Sequence, residues 1–312
     1  MEAKDTMKTA WIIHHSEPSP SYNSSELVRA FTEKNVQVSL IDFNKFAITD
    51  DLLTYDREIL DEPNYAVFAN QTLTILGAAA YAERNNILEK LSAFANTTFI
   101  NKPLAHAATS NKIVVYQKLN SAGIPYPTTE FIDANPEPDV LSLMIGRVGE
   151  FPIVVKHPIS FESAGVELCD DADSAVAAID RLRTNSLVKI GMFVLQEYIR
   201  NPDTAMYCVR VVGDQVYTRM FLFTPYDTSA FKAFVSLGRQ QLPCETPEVI
   251  RDAVMATMSV LGLDTARMDV FLTNNDVRII DVNSIGSLLP TDQTHNIRVA
   301  DLIVQHAMEK GT

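Results

Sequence analysis

With 312 residues, 46% of them apolar and 21% charged, the chain has the composition of an ordinary folded, soluble protein and is long enough for two or three domains. A formal net charge of −13 excludes an extended nucleic-acid footprint, which needs net basic surface, but leaves room for a local basic pocket. Three widely spaced cysteines, Cys169, Cys208 and Cys244, form no zinc pattern and suit a reducing cytoplasm, as small buried apolar groups rather than reactive thiols.

The first residues, MEAKDTMKTAWIIHHSE, carry charges but no long apolar run, so they do not read as a secretory signal. No stretch reaches the apolar length of a membrane helix. TAWIIHH predicts a first strand, SSELVRAFTEKN a serine-capped amphipathic helix, VQVSLIDF a second strand and YAVFAN a third. LTILGAAAYAERNNILEKLSAF predicts a helix and TTFIN a short fourth strand. Strands alternating with helices imply a parallel α/β layer over residues 1–100. No glycine-rich phosphate turn follows the first strand. His14 and His15 stand at that strand's carboxyl end, the ligand-facing end of an open α/β sheet, although two polar loop residues would look the same.

From Asn101 to about Asn185 the pattern changes. ATSNKIVVYQKLNSAGIPYPTTEFI reads as a helix stopped by Gly123, then Pro125 and Pro127, then a strand. EFPIVVKHPISFESAGVELCDD reads as strand, loop and strand, and DADSAVAAIDRLRT as a capped helix. Beyond Val188, MFVLQEYI and MYCVRVVGDQVYTRMFLF are strands, TPEVIRDAVMATMSVLGL is a helix, and VADLIVQHAMEK is a last helix. This part of the chain reads as α+β.

The stretch ARMDVFLTNNDVRIIDVNS predicts a hairpin turning at Asn274-Asn275-Asp276, with Thr273 paired to Val277 and Asp269 opposite Asp281. Like charges directly opposite are destabilising unless something offsets them, and a hard cation such as Mg²⁺, which takes carboxylate and amide oxygens, would do so. A surface hairpin is the plainer account: Val270, Leu272, Ile280 and Val282 face a core and the acids face water. Lys156 ends the apolar strand FPIVVK, where a buried lysine needs a partner. The small polar loop ISFESAGV after it could fold over phosphates, and Gln196-Glu197 follow another apolar strand, where main-chain groups could meet an adenine edge.

In their order along the chain, Lys112 at a helix start, Lys156 at a strand end, Gln196-Glu197 and then Asp269, Asp281 and Asn283, these residues resemble the ATP-grasp superfamily, most closely its RimK-like glutamate-ligase and peptide-ligase branch. NKPLAHAATSNKIVVYQKLNSAGIPYPTT looks like the start of the family's central domain, PIVVKHPISFESAGV like its second lysine strand and phosphate loop, VLQEYI like its adenine hinge and MDVF…IIDVNS like its metal hairpin. The resemblance runs from about residue 95 to the end.

The resemblance implies a three-domain ATP-grasp architecture of α/β and α+β parts: an N-terminal parallel α/β pre-domain at 1–100, a central lid domain at 101–187 and a C-terminal domain with the metal hairpin at 188–312. It implies an ATP-dependent carboxylate–amine ligase that works through an acyl phosphate and releases ADP and phosphate. Asp269, Asp281 and Asn283 would hold Mg²⁺, in the form of two ions, with Mn²⁺ as a substitute. Lys112 and Lys156 would contact phosphates, Gln196, Glu197, Tyr198 and Ile199 would line the adenine pocket, and Asp203 would reach the ribose. Arg219 and Lys232 would serve the substrate side. The implied partners are a small-molecule or peptide carboxylate and an amine acceptor, with no nucleic acid and no membrane, and a homo-oligomer is compatible with the family.

The chain departs from the family in places. An Asp stands at 281 where Glu is commoner. The phosphate loop keeps only Gly165 and carries Glu162. The family's Asp-x-Arg is replaced by Met206 and Cys208, with Arg210 on the same strand face, and Lys232 stands where arginine is usual, which is not conservative at a bidentate phosphate site. Two other readings stay open at this point: a small-molecule kinase of the inositol-phosphate type, disfavoured by the acidic balance, and a non-catalytic ATP-grasp-like binding module.

Overall fold

The computed structural model describes residues 7–15, 21–70, 78–159, 165–185, 191–199, 206–221, 241–273 and 276–312. The first layer contains β1 (Thr9–His14), α1 (Tyr22–Thr32), β2 (Gln37–Asp42), β3 (Phe46–Thr49), β4 (Leu52–Tyr55), β5 (Tyr65–Phe68), α2 (Ala78–Ser92) and β6 (Thr98–Ile100). Four of these strands form a parallel sheet in the order β2-β1-β5-β6. Side chains alternate across it: Ala10 and Ile12 face one side, Trp11 and Ile13 the other, and each side has its own buried cluster. Helix α1 starts where the Ser21 side chain accepts from Ser24 N, and it buries Leu27, Ala30 and Phe31 at helical spacing. The small antiparallel pair β3–β4 has no clear pattern in the sequence. Its turn places Asp50 and Asp51 at φ 49° and 63°, a conformation usually signalled by glycine or asparagine.

The second layer follows with α3 (Pro103–Thr109), α4 (Lys112–Ser121), β7 (Thr129–Asp133), α5 (Pro138–Val148), β8 (Ile153–Lys156), β9 (Val166–Cys169), α6 (Ala172–Asn185) and β10 (Met192–Glu197). Its sheet is antiparallel, in the order β7-β10-β8-β9. One face, with Ile153, Val155, Phe193 and Leu195, packs under α5 and α6. The hydrogen bonds place β10 in this sheet, although a division at 187/188 would assign it to the next layer. Conversely, α4 packs its Val115, Tyr116 and Leu119 against that next layer.

The third layer contains β11 (Met206–Val212), β12 (Gln215–Phe221), β13 (Gln241–Cys244), α7 (Glu248–Leu261), β14 (Thr265–Thr273), β15 (Asp276–Asn283), α8 (Leu289–His295) and α9 (Val299–Lys310). The antiparallel sheet runs β13-β12-β11-β14-β15. One face buries Val209, Val211, Val254, Met268, Val270 and Ile279 with α4 and α7. Helix α9 returns to the first layer, where Val299, Ile303, Val304 and Ala307 pack with α1 and β1. Burying such a Val or Ile side chain is worth about 1.5–3 kcal/mol, so α9 fastens the two ends of the chain together. The Arg29–Asp301 salt bridge at 2.6 Å adds to this seam, and Lys310 Nζ donates across it to Phe99 O at 3.3 Å.

The hairpin differs in detail from its expected form. Thr273 pairs with Asp276, not Val277, so the turn is one residue shorter. A bulge between Val270 and Asp269 then inserts Ile280, and the register recovers: Val270 faces Ile279, whereas Asp269 faces Asp281. As a result the fully buried residue is Ile279, and Ile280 is only partly buried. Among the described residues no helix is long and apolar enough to cross a membrane.

Candidate functional site

The face of the third sheet turned away from α7 collects the polar residues. Strand register sets Arg219, Cys208, Asp269 and Asp281 in one row across β12, β11, β14 and β15. The neighbouring row holds Tyr217, Arg210, Arg267 and Asn283. The shared parity of Cys208 and Arg210 is as expected. Asp269 is held by Arg267 at 2.7 Å. Asp281 lies 3.4 Å from Lys112 Nζ and accepts from Asn283 Nδ2 at 3.0 Å. Burial alone would raise the Asp281 carboxyl, but Lys112, Lys156, Arg267 and the Asn283 bond together outweigh it and hold the group below the usual range. Asp281 is therefore ionised.

Lys112 opens α4, whose N-cap Asn111 accepts from Ile113 N, and the Lys112 amide donates to Pro158 O at 2.9 Å, just past Lys156. The two lysines thus reach the hairpin from different elements. Lys156 is buried and donates to Gln196 Oε1 at 2.5 Å, with the Tyr116 hydroxyl 3.4 Å away. Burial pushes its ammonium down to about 8, against the pull of Asp281 and Asp269. Gln196 is also buried and donates from Nε2 to Thr129 Oγ1 at 2.8 Å. Its side chain therefore serves Lys156 and β7. Glu197 accepts from Thr128 Oγ1 at 2.8 Å, and Tyr198 and Ile199 leave the strand half-buried.

Sequence reasoning missed Tyr116, whose position one turn after Lys112 was a usable signal. Its phenol donates to Ile280 O at 2.7 Å, the carbonyl of the bulge residue, and its ring stacks on Tyr126. A recess between α4 and the hairpin is lined by Thr109, Lys112, Tyr116 and Asp281. Also missed was Asn101, which donates to Thr265 O and Ser284 O and accepts from Thr265 N, clamping the base of the hairpin.

Arg210 and Arg219 are buried on this face. Arg210 donates to Ile285 O and, at 3.0 Å, to Ser287 O, holding the segment after Asn283. Arg219 donates to Gln241 Oε1 and to Cys208 Sγ. Burial raises the Cys208 thiol, so it is not poised as a nucleophile. Asp203, Lys232, Glu162 and the rest of the expected phosphate loop at 160–164 lie outside the described residues. His14 and His15 stand at the carboxyl end of β1, where the His15 ring meets Asn44 and Arg84.

The site has two carboxylates and an amide within one hairpin, faced by two lysines. Those oxygen donors suit Mg²⁺, and the lysines suit phosphates. The model of the RimK-like ATP-grasp domain family matches residues 109–307. A relative from Pseudomonas fluorescens (strain SBW25) named "Probable alpha-L-glutamate ligase" is 29% identical over 216 residues, covering 68% of this chain and 67% of its own. D-alanine–D-alanine ligase from Bacillus anthracis superposes with a TM-score of 0.66 at 16% identity, over 98% of each chain. The ATP-grasp ligase PsnB, complexed with minimal precursor, Mg and ADP, gives a TM-score of 0.66 at 14% identity over 96% of this chain and 98% of that one. Sharing the three-layer fold of these ligases and matched over most of its length, the chain belongs to the RimK-like ATP-grasp family and by class is an ATP-dependent carboxylate–amine ligase.

Proposed function

We propose that this chain joins a carboxylate to the amine of an amino acid or peptide, through an acyl phosphate made at the expense of ATP. The observation that carries the reading is the convergence of Lys112 and Lys156, from a helix and a strand, on the Asp281 that faces Asp269. In this reading Asp269, Asp281 and Asn283 hold Mg²⁺, as a pair of ions that Mn²⁺ can replace. The metal supplies charge neutralisation for the phosphates. Lys112 and Lys156 bind phosphate oxygens as point charges, Lys156 the more deeply buried of the two. The main chain from Glu197 to Ile199 meets the adenine, while the buried Gln196 amide fixes the Lys156 ammonium; Asp203 serves the ribose.

The substrate carboxylate attacks the γ-phosphorus, ADP leaves, and the amine then displaces phosphate from the acyl carbon. Positioning and preorganised charge do the work, and no covalent nucleophile is required. Arg219, in the same row as Asp269, and Lys232 act on the acyl-phosphate side. The glutamate-ligase relative and the precursor-bound neighbour support an amino acid or peptide as substrate. Unpaired cysteines fit a cytoplasmic setting.

The test is a panel of carboxylates incubated with enzyme, MgATP and hydroxylamine. An acyl phosphate is trapped as a hydroxamate with stoichiometric ADP. A stable phosphate ester instead of a hydroxamate would replace the ligase reading with a kinase.

A further inference from the structure

Arg84 takes no part in the nucleotide site, and it is 4% exposed. It projects from α2 beneath the carboxyl ends of β1 and β2. Its Nη2 donates to Asn44 Oδ1 at 2.7 Å and lies 3.2 Å from His15 Nε2, and the guanidinium sits 5.0 Å from the Phe43 ring centroid. Its Nη1 is buried without a hydrogen-bond partner. None of these contacts is with a carboxylate. Desolvation pushes the group down to about 10, opposed by the more distant charge of Asp42. A buried guanidinium with an unmet donor is costly in isolation and calls for an anion.

The place is one where α/β sheets bind ligands. In the order β2-β1-β5-β6 the chain reverses direction of travel between β1 and β5, and ligands settle in the crevice outside the carboxyl ends at such a point. His15 N donates to Asn70 Oδ1 at 3.0 Å, joining the segments that leave these two strands. Asn23 ties the same end to the metal-hairpin side: its Nδ2 donates to Ala69 O at 2.8 Å and Gly286 O at 3.0 Å, and its Oδ1 accepts from Leu288 N. The segment from Gly286 onward follows Asn283 directly and covers Arg210. Asn23 thereby ties the carboxyl end of this sheet to the segment that follows the metal hairpin.

We propose that Arg84, with His15 and Asn70 at its rim, is a subsite for a carboxylate, the non-reacting carboxylate of one of the two ligation substrates. It rests on the ligase reading for the identity of that substrate, and on the Arg84 geometry for the anion. The guanidinium offers a planar fork that matches a carboxylate with two parallel N–H bonds. The alternative is that Arg84 only pins the Phe43–Lys45 turn through Asn44.

The full chain, with arginine side chains labelled for NMR, is titrated with glutarate, with the uncharged diamide of glutarate and with inorganic phosphate. The Arg84 Nε–H signal is expected to move on adding glutarate, and the diamide to bind at least about ten- to a hundredfold more weakly, through the loss of the charged hydrogen-bonded contact at Arg84. Arg84→Gln should abolish the preference for glutarate over the diamide, and Arg84→Lys should keep part of it. An unmoved Arg84 signal overturns the proposal, and it does so even if Arg84→Gln fails to fold. So does an Arg84→Gln protein that melts earlier yet keeps the preference, which is the purely structural outcome. Tighter binding of phosphate than of glutarate overturns the carboxylate assignment. MgADP binding on the same samples reports on the ligase reading separately: a wild-type chain that binds glutarate at Arg84 but not MgADP sinks that reading and leaves the anion subsite standing.

Discussion

Asp269 faces Asp281 across β14 and β15 even though the strands nearer the turn are one residue out of step with that pairing. The two-residue turn alone would set Asp269 against Ile280. The bulge absorbs Ile280, restores the acid pair, and turns the Ile280 carbonyl to Tyr116. Each acid already has a cation, Arg267 for Asp269 and Lys112 for Asp281, so the like-charge repulsion is compensated within the protein.

That compensation sets the outcome for Asp281→Asn. The change removes a proposed Mg²⁺ ligand and also the counter-charge of Lys112 and Lys156. Turnover should fall by at least about 10–100-fold, the range found when residues merely supporting a metal ligand are lost. The melting temperature should not rise. Hydroxamate formation across a Mg²⁺ titration, with a thermal melt, measures both, and normal turnover at saturating Mg²⁺ would end the metal assignment.

Lys156 gives a pH signature. Its ammonium is depressed to about 8 in the free protein, and phosphate binding stabilises the charged form and so raises that value. ATP affinity should be level below about pH 7 and weaken as pH rises through 8, by up to about tenfold per unit. Adenosine affinity should not follow. Lys156→Ala should weaken ATP by about 1.5–3 kcal/mol and adenosine much less. Calorimetric titration of both ligands from pH 6.5 to 9.5 is the check, and an equal loss for both would make Lys156 structural.

Tyr116→Phe removes the hydroxyl that reaches the bulge carbonyl. A lost neutral hydrogen bond costs about 0.5–1.5 kcal/mol, and more if the Ile280 carbonyl is left dry. The urea midpoint should drop with an unchanged slope. Because the phenol also neighbours Lys156, ATP affinity should fall with it. An unchanged midpoint would mean that water replaces the hydroxyl.

Gly286 has φ 58°, and an added Cβ would sit 3.0 Å from Arg267 Cβ and 3.5 Å from Arg210 Nη2. Gly286→Ala should therefore cost about 1–2 kcal/mol from the left-handed backbone, with further cost from moving Arg267 off Asp269. Turnover should fall more than stability alone explains. Equilibrium unfolding and hydroxamate rates on the same preparation separate the two effects.

Much of this arrangement is legible along the chain. The helical spacing of Leu27, Ala30 and Phe31, the alternation in β1 and the order of Lys112, Lys156, Asp269, Asp281 and Asn283 are local patterns, and local patterns are carried by the chain's own geometry. The sequence pattern gives the Asp269–Asp281 pairing with a turn one residue too long, because a bulge, which periodicity cannot reveal, makes up the difference. Arg84 and Asn101 carried no signal, since each acts on residues distant in sequence.

By itself, then, the sequence determined the alternation of strands and helices, the acid-bearing hairpin and the two lysines, because burial periodicity and charge placement are properties of single segments. Only the tertiary structure decided that β10 joins the central sheet, that the Gln196 amide turns inward to Lys156, that Tyr116 meets the bulge and that α9 closes the first layer. Those depend on which segments win each other's hydrogen bonds and apolar faces, a competition among distant parts of the chain that no single segment encodes.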